Sequence, residues 1–443
     1  MSVNLHIVPS NTLSNGKVSF KNGNPVIQFI IGEQDRLLVG QSIRLCGKFR
    51  VWKDQNGNAA SVPATTDEIS MSSKLGAYAC IDQLVLKSQQ THQVIEHIRH
   101  YNRFCSSFVP ITHSLQDSMG SLSEQALIMP NYQLQQDSVV RIPSSYNTAN
   151  DFCLPLPCGL FNGTQNIPLS STWGLKGLLV EIHLAPDNNV LFAQNGTPTS
   201  LVDAYYELND LKLVCEAVVP TPDQLSQFSA KGNAFEYNSI SSYFTSINST
   251  NAIINFNLGL SRVLGVFCNF IPSARINNFS WDGMNTDYLR NSDAAITTAN
   301  ITQVVFTRGG VKFPLEYNID WMGTSGTDGN TQQVDAQIQR NFMNAVAPFS
   351  RLGRTIPNSC NTFTYENNAT NNGRGVEEID GGITFGVGMA YDNISGDGVD
   401  FSSQQWGLNM ATQLTSNNPH AVFVFVHSKQ TLTFNQNGLQ VIS

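Results

Sequence analysis

Asn-Gly and Asp-Gly dipeptides recur along the whole chain, at Asn22-Gly23, Asn56-Gly57, Asn162-Gly163, Asn195-Gly196, Asp282-Gly283, Asp397-Gly398 and Asn437-Gly438. Such pairs supply the positive φ that tight hairpin turns require. Between them lie short runs of β-branched and aromatic residues, several alternating with period two, as in VIQFII from Val26 to Ile31. Others, such as LKGLLVEIHL, are apolar almost throughout and fit strands held between two layers. With 33 glycines and 18 prolines punctuating the rest, the pattern specifies a largely antiparallel all-β fold.

The chain has 443 residues, whereas single hydrophobic cores stop growing near roughly 250–300. Two domains in tandem follow, each a β-sandwich. Pro220 and Pro222 end a strand in VVPTPDQLSQFSAKGN, and the same texture restarts beyond them. This divides the chain into a polar N-terminal arm (1–20), a first sandwich (21–222) and a second (223–443). Trp173-Gly174-Leu175 and Trp406-Gly407-Leu408 both precede closing strands of their halves, a faint echo of duplication. Strands are expected over Val26 to Ile31, Leu37 to Trp52, Ala77 to Lys87, Leu175 to Leu184 and Leu208 to Val219. Two helices are expected. One starts at Thr91 in THQVIEHIRHYNRF, where Val94, Ile98 and Tyr101 recur at i, i+4 and i+7; the other is VDAQIQRNFMNAVAPF. Long polar segments at 53–76, 106–150 and 355–380 gather at the ends of the sandwiches, where loops meet neighbours.

Hydrophobic residues make up 41% of the chain and charged ones 13%, about half the usual charged share. A surface so sparsely charged does little to keep copies apart, so self-association is expected. The net charge of -8 argues against phosphate neutralisation and hence against direct nucleic-acid binding. No apolar run reaches the roughly 20 residues that span a bilayer. The start, MSVNLHIVPSNTLSNG, lacks the features of a signal peptide, so synthesis in the cytosol is expected. The eight cysteines then read as buried free thiols, and N-x-S/T sequons such as those at Asn162 and Asn248 carry no weight.

Motifs for chemistry are absent: no G-x-S-x-G, no G-x-x-x-x-G-K-[ST] phosphate loop, no H-E-x-x-H and no EF-hand loop. Cys153 and Cys158 in FCLPLPCG lack the two further ligands that zinc requires. His92, His97 and His100 with Glu96 form the best constellation for a metal, yet a surface or interface helix with locally bonded histidines explains them as well. Glu377, Glu378 and Asp380 in NGRGVEEIDGG are adjacent acids in a Gly-rich loop, not two acids facing across a cleft. Arg308-Gly309-Gly310 is expected to be a hairpin turn. Trp52, Trp173, Trp281, Trp321 and Trp406 are dispersed as core or interface anchors would be. The reading is therefore no enzyme, no catalytic residue, no cofactor and no metal.

Six segments, in order, carry a family likeness: GAYACIDQLVLKSQQTHQVIEHIRHYNRF, IPLSSTWGLKGLLVEIHLAPDNNVLF, YYELNDLKLVCEAVVP, LGVFCNFIPSARINNFSWDG, FTRGGVKFPLEYNID and VFVFVHSKQTLTFNQNGLQVIS. Together, from about residue 20 onward, they resemble the major capsid proteins of polinton-like viruses and virophages, in the double jelly-roll lineage of double-stranded DNA viruses. The resemblance implies two eight-stranded jelly rolls side by side. It also implies homotrimers that form pseudo-hexameric capsomers and tile an icosahedral shell with penton and minor capsid proteins, placing the chain in the virion. A carbohydrate-binding sandwich protein of a virion or cell surface is the alternative.

Overall fold

The computed structural model describes the chain outside residues 53–68, 114–124, 129–139, 142–149, 194–203, 231–233, 280–282, 285–302, 315–330, 333–335, 347–364, 367–385 and 413–417 and a few single residues and pairs, residues 12–15 and the two terminal residues. In chain order the first half supplies β1 (Ser2–Ile7), β2 (Val26–Ile31), β3 (Leu37–Trp52), β4 (Ile81–Ser88), β5 (Val94–Arg99), β6 (Asn150–Pro155), β7 (Leu178–Leu184) and β8 (Tyr205–Val218). They form two antiparallel sheets, one ordered β1-β8-β3-β6 and the other β2-β7-β4-β5. Lys17–Val18 and Ile167–Pro168 add short pairings to the first sheet.

The second half repeats the wiring with β9 (Ala234–Ile247), β10 (Asn251–Phe256), β11 (Val263–Pro272), β12 (Gln303–Arg308), β13 (Val311–Lys312), β14 (Gly386–Ala390), β15 (Trp406–Ala411) and β16 (His420–Asn435). Its sheets run β9-β16-β11-β14 and β10-β15-β12-β13. Gly438–Ile442 folds back on β16. Counting strands within each half, both have the order 1-8-3-6 facing 2-7-4-5, the double Greek key of a jelly roll. The Trp-Gly-Leu echo falls at equivalent places, just before β7 and at the start of β15.

Alternation puts the apolar side chains between the sheets. In β2, Ile27, Phe29 and Ile31 are buried while Gln28 and Ile30 are not. In the second half Ile254, Phe270, Val304, Val424, Trp406 and Leu408 fill the equivalent space. All ten positions of β11 are buried, because its sheet is covered on both faces. Helix α3 (Ala336–Val346) lies over β14 and β11, with Phe342 edge-on to Phe267 at 6.0 Å between ring centroids. It coincides with the second helix expected from sequence. Helix α2 (Pro222–Ala230) follows β8.

Three expectations need correction. The helix expected from Thr91 is not there: Val94–Arg99 is a strand paired with β4, and helix α1 runs from Tyr101 to Thr112. The apolar spacing of VIEHIR fits a strand buried on one side and a helix equally well, and the free edge of β4 decides for the strand. Val94, which should anchor the helix, is 42% exposed. The chain turns between the two elements at His100, whose φ of 56° is left-handed. Residues 2–7, expected within a polar arm, form edge strand β1, with Ser2 opposite Val218 and Ile7 opposite Leu213. The alternation of Val3, Leu5 and Ile7 is a local strand signal inside that arm, and the edge of β8 supplies its backbone partners. The strand expected from Ala77 starts at Ile81 instead, after a 3-10 turn over Gly76–Cys80.

Candidate functional site

The most elaborate polar construction in the described residues is the seam between the two sandwiches. It begins with β5. One edge of this strand pairs with β4; the other would expose amides and carbonyls that invite foreign strands. Side chains of β9 close it: the Tyr237 hydroxyl donates to the Ile95 carbonyl at 2.8 Å, and the Arg99 amide donates to Ser242 Oγ at 2.9 Å.

Between those contacts sits Glu96, 2% exposed. Its Oε1 accepts from the Gly159 amide at 2.9 Å and the Ile240 amide at 2.7 Å, and its Oε2 accepts from the Leu160 amide at 2.9 Å. One carboxylate thus ties β5, the loop after β6 and β9 of the other sandwich. Burial pushes the Glu96 carboxyl up to about 7, against the pull of the Leu160, Ile240 and Gly159 amides. Gly159 is required here. A Cβ on it would stand 2.3 Å from the Asn238 carbonyl oxygen, so the backbones can approach this closely only with hydrogen in that place.

Helix α1 forms the rest of the seam. Its Phe104 lies 5.7 Å from Phe425 and 6.3 Å from Phe267 between ring centroids, and Arg103 sits over Phe423 at 5.5 Å. Asn269 of β11 is fully buried. Its Nδ2 donates to the Arg103 carbonyl at 2.9 Å, and its Oδ1 accepts from Ser107 Oγ at 2.7 Å. Apolar residues of both halves, including Tyr101, Phe104, Phe235, Phe267 and Phe425, belong to one continuous core. Apolar area drives such docking, and the paired polar groups fix its orientation.

The histidines singled out from sequence do not converge. His92 stands in a turn at φ 55°. His97 on β5 bonds Gln83 Oε1 at 3.0 Å, and burial lowers its pKa. His100 packs edge-on against Phe423 at 4.9 Å, its pKa also lowered by burial. Glu96 serves the seam instead, and its signal in the sequence is a lone acid inside an apolar strand. Among the described residues no group of three or more His, Cys, Asp or Glu could hold a metal. Cys153 and Cys158 point apart. Cys158 is buried in the core, whereas Cys153 lies opposite Cys46 across β6 and β3.

Arg308-Gly309-Gly310 makes the expected hairpin, with Arg308 opposite Val311 and both glycines at positive φ. Trp406 is fully buried and donates from Nε1 to the Tyr391 hydroxyl at 3.0 Å. Trp52 is half-buried beneath the Arg50 guanidinium, 3.9 Å from its ring centroid, and Trp173 leans on Phe228. Each of these three tryptophans thus has its own neighbours. Trp281, Trp321, Glu377, Glu378, Asp380, most of the segment 53–76 and nearly all of 355–380 lie outside the described residues.

No protein-family model matches the chain, and no curated protein matches it in sequence. Solved structures match it along its length. The Faustovirus major capsid protein superposes with a TM-score of 0.61 at 9% identity, covering 98% of this chain and 90% of that one. VP54 of PBCV-1, fitted into a reconstruction of the virophage Sputnik, gives 0.56 at 12% identity over 100% and 96% of the two chains. The Sputnik virophage structure itself gives 0.50 at 11% identity over 100% and 88%. The fold is therefore the double jelly roll found in viral major capsid proteins.

Proposed function

We propose that this chain is the major capsid protein of an icosahedral virus. The observation that carries the reading is the seam. Two identically wired sandwiches are joined by a buried carboxylate, Asn269 and a shared aromatic core. Three such pairs around a threefold axis place six similar lobes in a ring, so a trimer occupies a position of sixfold symmetry. Cyclic assembly needs a heterologous contact that closes after three steps, and the sparse surface charge offers little repulsion against it.

On this reading the sandwiches divide near residue 222, with α2 as the link and β1 belonging to the first. Capsomers meet one another, penton and minor capsid proteins through individually weak contacts that add by multivalency. The chain is made in the host cytosol and ends in the virion, and its work is architectural rather than catalytic. Likeness to capsid proteins over nearly the whole length of both chains supports this role. Mass photometry of the purified chain at micromolar concentration tests it. Particles of three times the chain mass that appear six-lobed in negative stain are expected; a persistent monomer overturns the proposal.

A further inference from the structure

We propose that Cys46 and Cys153 are a covalent modification site, forming a cross-strand disulfide on the outer face of the first sheet when the protein meets a small-molecule disulfide. The register of β3 and β6 sets Cys46 directly opposite Cys153, between Leu45 opposite Leu154 and Gly47 opposite Phe152. Directly opposed residues on antiparallel strands have Cα atoms about 4.5 or 5.5 Å apart. Both spacings lie inside the range of roughly 4.4–6.8 Å that a disulfide bridges. The two Sγ atoms are already 2.8 Å apart, so joining them asks for side-chain rotation and no shift of strand.

Alternation decides access. Leu45 and Leu154 point into the sandwich core, which leaves the two thiols on the other face of the sheet, where Cys46 is buried beneath its neighbours and Cys153 is half-buried. Lys212 of β8 stands opposite Cys46 on its second side, so Lys212, Cys46 and Cys153 form a row across three strands, with Arg44 two residues along β3. The contact between the two thiols, and then Arg44 and Lys212 beside them, favour a single thiolate on the pair. Cys153, the more exposed of the two, is the thiol that an outside disulfide reaches first and so the nucleophile. The other described cysteines, Cys80, Cys105, Cys158, Cys215 and Cys268, are buried, and burial pushes each thiol up.

With glutathione disulfide the exchange balances without another reagent. The Cys153 thiolate attacks one sulfur, forming a mixed disulfide and expelling one glutathione thiolate. Cys46 gives its proton to solvent and attacks Cys153 Sγ, expelling the second. Two protein thiols and one glutathione disulfide become one protein disulfide and two glutathione thiols. The new bond ties positions 107 residues apart, and so restricts the unfolded chain over a long loop. This site is independent of the shell role and stands or falls without it.

The test equilibrates the full chain in glutathione buffers of increasing oxidation, blocks free thiols by alkylation, and maps peptides by mass spectrometry. At the oxidising end a linked peptide pair containing Cys46 and Cys153 is expected, with a higher urea midpoint than the reduced chain. Cys80, Cys105, Cys158, Cys215 and Cys268 should alkylate only after denaturation. Cys46→Ser should stop at a glutathione adduct on Cys153, and Cys153→Ser should leave Cys46 unmodified. Separate alkylation of Cys46 and Cys153 in the oxidised wild-type chain, or a lasting glutathione adduct on its Cys153, overturns the proposal.

Discussion

Replacing Glu96 by alanine tests whether the seam is held by one carboxylate. The substitution leaves the Gly159, Leu160 and Ile240 amides buried without their acceptor. An unsatisfied buried donor costs about 1–3 kcal/mol, so three give a gross loss of roughly 3–9 kcal/mol. Set against this is relief from burying a charge. Burial moves the Glu96 carboxyl from 4.5 to about 7, and each pKa unit corresponds to about 1.4 kcal/mol, so the relief is on the order of 3 kcal/mol above pH 7. The net expectation is a destabilisation of about 3 kcal/mol at pH 8. Urea unfolding of the full chain, followed by tryptophan fluorescence at fixed protein concentration, measures it.

The pH dependence gives a second reading of the same group. A carboxyl whose folded pKa lies above its unfolded value binds more protons folded than unfolded within that interval. Its contribution to stability is therefore fully present below about 4.5 and is lost as pH rises through about 7. Glu96→Gln keeps the shape but turns an amide N–H₂ toward at least one donor. Being uncharged, it should flatten the slope between these values, and above pH 7 the same relief of about 3 kcal/mol offsets the roughly 1–3 kcal/mol cost of the mispaired donor. If Glu96→Ala unfolds within about 0.5 kcal/mol of wild type, the range of ordinary surface substitutions, or if Glu96→Gln retains the full slope, the reasoning is wrong.

Gly159→Ala places a Cβ 2.3 Å from the Asn238 carbonyl oxygen. The loop must then retreat from β9, with an expected loss of about 1–3 kcal/mol and faster limited proteolysis near α2. Phe104→Ala removes the ring that touches Phe267 and Phe425; a loss of about 3–5 kcal/mol should appear in the urea midpoint.

Much of the fold was legible along the chain because hairpin chemistry and period two are local. Asn-Gly turns, the alternation of VIQFII and the strand from Leu37 to Trp52 can be read within a few residues. The division into two sandwiches was expected from length and the break at Pro220 and Pro222. The capsid-like architecture came through the order of six weak segments, none decisive alone. Misreadings fell where a segment's partner is distant in sequence. VIEHIR became a strand because β4 offered an edge, and residues 2–7 became β1 because β8 did.

The seam was invisible for the same reason. Glu96, Gly159 and Ile240 span 144 positions between the first and last, and no local pattern connects them. Nor could spacing show that Cys153 pairs with Cys46 rather than with its near neighbour Cys158, since register between β3 and β6 sets that. By itself the sequence determined that the chain makes two antiparallel sandwiches, because turn residues and alternation act over the length of a hairpin. Tertiary structure alone decided which edges are covered, where a charge is buried and which thiols meet, because those depend on docking surfaces that the chain brings together only after its strands have formed.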